Sequence, residues 1–189
     1  MRIGFTGHRP NRLHVGVERL RARLDEALRC LLSEGHGVKG GEKFTALSPL
    51  AEGSDRLFAE VALERDIILE VLLPMAVADY VQTFEDKSTT PSFHALLARA
   101  RNIRTLPGSL SDSKSAYEAL GNEMIATSDV LVTVWDAKPA AGRGGTPDVI
   151  AEALKIGRRV VWVSAVHDTS PCWLNSIEPV ITRSMQSVQ

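Results

Sequence analysis

The sequence predicts an α/β fold: a three-layer, Rossmann-like open sheet, mainly parallel, with helices on both faces. Three observations lead there. Short apolar runs alternate with segments of helical periodicity from end to end, which is the pattern of βαβ units. The runs IILEVLLP (67–74) and DVLVTVW (129–135) are apolar throughout, as strands covered on both faces must be. Loops rich in Gly, Ser and Thr follow strands and lead into helices, as they do at the carboxyl edge of such a sheet.

Each element has its own signal. Residues 2–6 read as a first strand that delivers Thr6, Gly7, His8 and Arg9 to a turn stopped by Pro10. Val17, Leu20, Leu24, Ala27, Leu28 and Leu31 then recur at helical spacing, and Gly35 with Gly37 closes that helix. FTALSPL (44–50) is a second short strand. Ser54 and Asp55 are suited to cap a helix carrying Leu57, Phe58, Val61 and Ala62. The run 67–74 is a third strand, ended by proline. A polar stretch near 82–92 precedes a helical FHALLARA and a short strand at 102–106. Tyr117, Leu120, Met124 and Ile125 mark the next helix, and 129–135 is a strand enriched in β-branched residues. The loop AAGRGGT leads to a helix with Val149, Ile150, Ala153 and Leu154. Gly157 ends it before the strand RVVWVS. No repeat, low-complexity tract or linker interrupts the chain, so residues 1–189 form one domain. The stretch 76–112 is the least regular and reads as an insertion or a mobile flap.

Bulk properties narrow the function classes. Hydrophobic residues make up 44% of the 189 and charged residues 24%, ordinary values for a globular protein. A net charge of −1, from 22 Lys and Arg against 23 Asp and Glu, argues against a dedicated nucleic-acid binder. Arginines concentrate in residues 1–29, but most read as a solvated helix face, and Arg9 alone stands on a turn. Cys30, within CLL, reads as a buried thiol, and Cys172 lies far from it. No apolar run is long enough for a membrane helix or a signal peptide, so the expected location is cytoplasmic. Histidines 8, 14, 36, 94 and 167 show no ligand spacing, and no metal or resident cofactor is expected.

Three loops carry the candidate site. The first is Thr6-Gly7-His8-Arg9. The second is Ala51-Glu52-Gly53-Ser54-Asp55-Arg56. The third is Gly142-Arg143-Gly144-Gly145-Thr146. Adjacent glycines let a backbone approach a ligand, and a threonine at a helix start can cap it or bind phosphate. The free N–H groups of that helix end favour an anion. Each loop taken alone is equally well explained as a turn with a capped helix; it is their convergence on one sheet edge that points to a ligand. Glu52 and Asp55 are acceptors for ribose hydroxyls or a base amine. Arg9 has the fork geometry for two phosphate oxygens. His8 is either a hydrogen-bonding or stacking group or a surface residue without a role. Asp136 either contacts ribose or holds its loop, and Trp135 reads as core. The pattern is neither a P-loop nor G-x-G-x-x-G.

In chain order, G-F-T-G-H-R, L-A-E-G-S-D-R-L-F-A-E, S-D-V-L-V-T-V-W-D and G-G-T-P-D-V-I-A-E-A-L resemble the SLOG superfamily. That group of Rossmann-like domains includes the LOG proteins, the DNA-processing protein A and nucleotide-sensing domains of bacterial defence systems. The resemblance runs through residues 2–165, and the order of the motifs is its specific part. It implies a site for a nucleotide or nucleotide-derived small molecule, with Gly7, Arg9, Gly53, Ser54, Gly144, Gly145 and Thr146 as contacts. Related domains often pair through helices, which makes a homodimer an expectation. LOG enzymes are phosphoribohydrolases that cleave the N-glycosidic bond of a nucleoside 5′-monophosphate, using P-G-G-x-G-T-x-x-E and an arginine on the preceding helix. Here Ala141 stands at the proline position, Arg143 at the second glycine and Val149 at the glutamate. Ala119, Leu120 and Gly121 stand where the arginine-lysine pair belongs. Asp148 is offset by one residue, and Glu152 lies a turn further on. The expectation is therefore binding or sensing, with LOG-like hydrolysis as the alternative.

Overall fold

Central strands that are apolar on both faces decide how the layers assemble. The computed structural model describes residues 1–34, 44–139 and 145–177. Among them are seven strands: β1 (Arg2–Gly7), β2 (Thr45–Ser48), β3 (Ile68–Met75), β4 (Asn102–Gly108), β5 (Val130–Trp135), β6 (Arg159–Ser164) and β7 (Cys172–Leu174). They form one sheet in the order β4-β3-β2-β1-β5-β6-β7. All neighbours pair in parallel except β6 and β7, which are antiparallel. The chain winds outward from β1 to β4, then crosses back to place β5 on the other side of β1. The topological switch point is thus the crevice between β1 and β5, where ligands bind in such sheets.

The helices are α1 (Val17–Glu34), α2 (Ser54–Glu64), α3 (Val77–Tyr80), α4 (Thr90–Arg99), α5 (Ser113–Thr127) and α6 (Thr146–Lys155). Ile3 and Phe5 of β1, with Val130, Val132 and Val134 of β5, face α1 and α2. Leu131 and Trp135 of β5 face the opposite layer, against α5 and α6. This period of two is what lets one strand serve two cores. Phe5 stacks on Phe58 of α2 with ring centroids 4.4 Å apart, fixing that layer over β1.

Several expectations change. Residues 76–112 are not a flap. Tyr80, Phe84 and Phe93 are buried together against β3, with ring centroids 5.3 to 5.9 Å apart. Val17 lies outside the α1 core stripe and is 63% exposed. Cys30 is exposed, because the α1 stripe runs through Leu24, Ala27, Leu28 and Leu31 and leaves position 30 on the outer face. Neither Ser54 nor Asp55 caps α2: its N-cap is Gly53, at φ +91°, a left-handed conformation that favours glycine. Gly35 and Gly37, expected to close α1, lie outside the described residues, as do Ala141, Gly142, Arg143 and Gly144. No described helix is long and apolar enough to cross a membrane.

Candidate functional site

Parallel pairing puts the ends of β1, β2 and β5 side by side, so the first two sequence loops and the Gly145–Thr146 end of the third lie at one edge. A cleft of about 280 Å³ opens there. Thr6, Gly7, His8 and Arg9 line it from the first loop, Asp55 from the second, and Gly145 and Thr146 from the third. Phe5, Leu120, Met124 and Val149 give it apolar walls.

The remaining sequence candidates act beside the cleft. Ser54 donates through its hydroxyl to His8 O at 2.8 Å, and its amide bonds the same oxygen at 3.3 Å. A Cβ on Gly53 would stand 2.9 Å from His8 O. Gly53 and Ser54 therefore dock α2 against the first turn and do not line the cleft. Gly7 is small for a packing reason: an added Cβ would lie 2.2 Å from Ser54 Oγ and 2.9 Å from the Phe5 ring. Glu52, 3% exposed, accepts from the amides of Glu85 and Asp86 and from Arg9. It anchors the segment after α3, which leaves it badly placed for ribose.

Arg9 is similarly engaged. Its Nη1 donates to Glu52 at 3.3 Å and to Thr83 O at 2.9 Å, and its Nη2 donates to Tyr117 at 3.1 Å. The arginine is a strut between the first turn, the residue 83 turn and α5. Its neighbour in sequence is the one that reading the turn missed. A 3-10 turn at Pro10–Arg12 folds back so that Arg12 also lines the cleft.

Asp136, at the end of β5, holds its loop. Arg12 donates to it through Nε at 2.9 Å and Nη2 at 2.7 Å, and the Lys138 amide at 3.1 Å. His8 Nε2 lies 2.9 Å from Asp136 Oδ1. His8 is 4% exposed, so it is not a surface histidine. Burial works to raise the Asp136 pKa, but the Arg12 and His8 hydrogen bonds outweigh it and hold the carboxyl below its ordinary value. An ionised carboxylate only accepts, so Nε2 carries the proton and Nδ1 is left as an acceptor.

At α6, Gly145 is the N-cap and no side-chain capping bond forms, so Thr146 does not cap the helix as expected. Pro147 has no N–H, and the Asp148 amide bonds Gly145 O at 3.0 Å. The Thr146 amide, at the first helical position, has no acceptor within the helix. Gly145 and Thr146 are what this end of α6 brings to the cleft.

Two buried groups in this region set opposing pH dependences. Burial lowers the His8 pKa below 6.5, against the Asp136 hydrogen bond. Its contribution is present above that value and is lost as pH falls through it, because the unfolded chain takes up the proton first. Burial raises Asp55 well above 3.8, against Arg9, a backbone hydrogen bond and Arg56. Its contribution is present below that value and is lost as pH rises toward the folded pKa. Urea midpoints followed between about pH 4 and pH 7 should fall with rising pH in His8→Asn and rise in Asp55→Asn. Equal profiles in both variants would contradict these assignments.

No family model matches the chain, and no curated protein sequence matches it. The functional reading therefore rests on the site.

Proposed function

We propose that the cleft binds a nucleotide or nucleotide-derived small molecule, and that the protein is a cytoplasmic binding or sensing domain of SLOG type. One observation carries this reading. At the switch point between β1 and β5, the Thr6–Gly7 end of β1 and the Thr146 end of α6 flank one apolar-walled cleft. A helix start suits a phosphate, and Leu120 and Met124 suit the flat face of a base. Arg12, whose guanidinium has a third nitrogen beyond the two bonded to Asp136, is the cation we assign to phosphate in place of Arg9.

Binding without hydrolysis is the form we favour. Glycosidic cleavage needs a carboxylate to activate water or steady an oxocarbenium-like centre. The positions where LOG enzymes carry their arginine-lysine pair and glutamate are Ala119, Leu120 and Gly121, and Val149, here; Leu120, Gly121 and Val149 line the cleft. They also pack on each other: a Cβ on Gly121 would fall 2.7 Å from Val149 Cγ2. This contact fills with methyl groups the place where LOG chemistry would need charge.

Calorimetric titration with adenine and guanine nucleotides tests the proposal. At least one should bind, and Gly145→Val should weaken it by about tenfold or more through steric block, with the circular dichroism spectrum retained. Gly145 sits at φ −79°, ψ 169°, which valine tolerates, so the substitution leaves the backbone unstrained. Incubation with nucleoside monophosphates should release no free base. Equal binding by wild type and Gly145→Val would place the site elsewhere, and enzyme-dependent base release would restore the hydrolase alternative.

A further inference from the structure

We propose that β4 is a docking edge, and that it takes an extended acidic segment of a partner protein as an eighth strand of the sheet. This surface is separate from the cleft. β4 stands three strands from β1, and none of its residues lines the cleft.

The observation is an open strand edge. β4 stands at the end of the described sheet and pairs with β3 alone, so half of its backbone N–H and C=O groups face outward. Asn102, Ile103, Arg104 and Thr105 are all exposed, whereas every residue of β5 is buried. The opposite edge offers much less, since β7 has three residues against the seven of β4. Ile103 shares a face with its register partner Val71. Val71 lies in the core with Phe93 and Leu96 of α4, while Ile103 is 45% exposed. The edge therefore carries an uncovered apolar side chain beside a row of unpaired backbone groups.

Charge selects the occupant. Arg99, in the last turn of α4, and Arg101, just before β4, are exposed and have no carboxylate partner among the described residues. The arginines of α1 behave differently: Arg19, Arg21, Arg23 and Arg29 each meet an Asp or Glu. Arg104, within β4, is already paired with Glu123 of α5 at 2.6 Å. Basic side chains on an edge guard against indiscriminate pairing. A second copy of this chain would bring the same two unpaired arginines to the junction. A nucleic acid would set its phosphates against the outward carbonyl oxygens. An acidic strand satisfies the whole edge: its backbone completes the hydrogen-bond ladder, its carboxylates meet Arg99 and Arg101, and an apolar side chain covers Ile103.

Fluorescence anisotropy of the full chain with a labelled, acetylated Val-Glu-Val-Glu-Val-Glu-Val peptide tests this. The peptide should bind, and the double variant Arg99→Glu/Arg101→Glu should weaken it by about tenfold, the scale of two exposed attractions turned into repulsions. The Val-Lys analogue should not bind. A version with N-methylated peptide bonds keeps the charge and loses the ladder donors, so it should not bind either. Amide hydrogen exchange at peptide saturation should slow within residues 102–106. Both substituted positions are exposed, and circular dichroism verifies the fold; the N-methylated peptide tests the ladder on wild type without any variant. Absence of binding, equal binding of the N-methylated peptide or by the double variant, or protection confined to other strands overturns the proposal. So does oligothymidylate binding more tightly than the peptide, or a dimer in sedimentation whose formation protects β4.

Discussion

Asp136→Ala should lower the free energy of unfolding by about 3 kcal/mol, the scale for removing one partner of a buried charge pair. Asp136 is the common acceptor for Arg12, His8 and the Lys138 amide, and its side chain is almost fully buried. Without it, the buried His8 loses the acceptor for its Nε2 proton, and the half-buried Arg12 loses its counterion. Neither group can turn fully to water, so the desolvation cost is not recovered. The loss extends to the site, because His8 and Arg12 bracket the turn that lines the cleft. Urea unfolding of wild type and variant measures the effect, with Asp136→Asn as a milder comparison that keeps one acceptor. A loss below about 1 kcal/mol would mean that the cluster is solvated like a surface ion pair.

That cluster also shows where a linear reading stops. The first strand, the β5 run and the α6 start were legible because strand and helix periodicities are local. The sheet edge at which the β1 and β2 loops and the start of α6 meet follows from the alternation of strands and helices alone. The partnership of His8 with Asp136 was not legible, since it spans 128 positions and depends on β5 pairing beside β1. Arg12 was overlooked because nothing local says that Pro10–Arg12 turns back toward β5. The strand β7 was missed because three residues, Cys172–Leu174, are too few to display a period. The exposure of Cys30 was recoverable: helical geometry puts it about 200° from Leu28 and about 100° from Leu31, off the core stripe. Glu52 and Arg9 suggest ligand contacts by residue type as readily as the internal struts they form. Tyr80 carried no signal at all, because a lone tyrosine after an apolar strand is compatible with core or surface.

The stretch 76–112 holds the last case, and it carries the other large effect. Phe93→Ala should destabilise the protein by about 4 kcal/mol, within the range for a fully buried phenylalanine. Phe93 is fully buried and packs edge-on against both Tyr80 and Phe84. The Arg56 guanidinium lies 4.6 Å over Phe84 and donates to Leu50 O and Thr89 O, which ties the aromatic cluster to α2. The polar residues between these aromatics hide the cluster in sequence, yet they are also used: the amides of Glu85 and Asp86 are bonded by Glu52. A mobile flap would tolerate the loss of one aromatic ring with a change below about 1 kcal/mol, because it would bury little of it. A packed segment cannot, because the cavity would open beside Phe84 and Tyr80, which lines the cleft. The same variant should therefore weaken nucleotide binding even under conditions where it remains folded. Chemical denaturation and a calorimetric titration on one preparation separate the two consequences, and a stable Phe93→Ala protein with unchanged affinity would return 76–112 to the status of a flap.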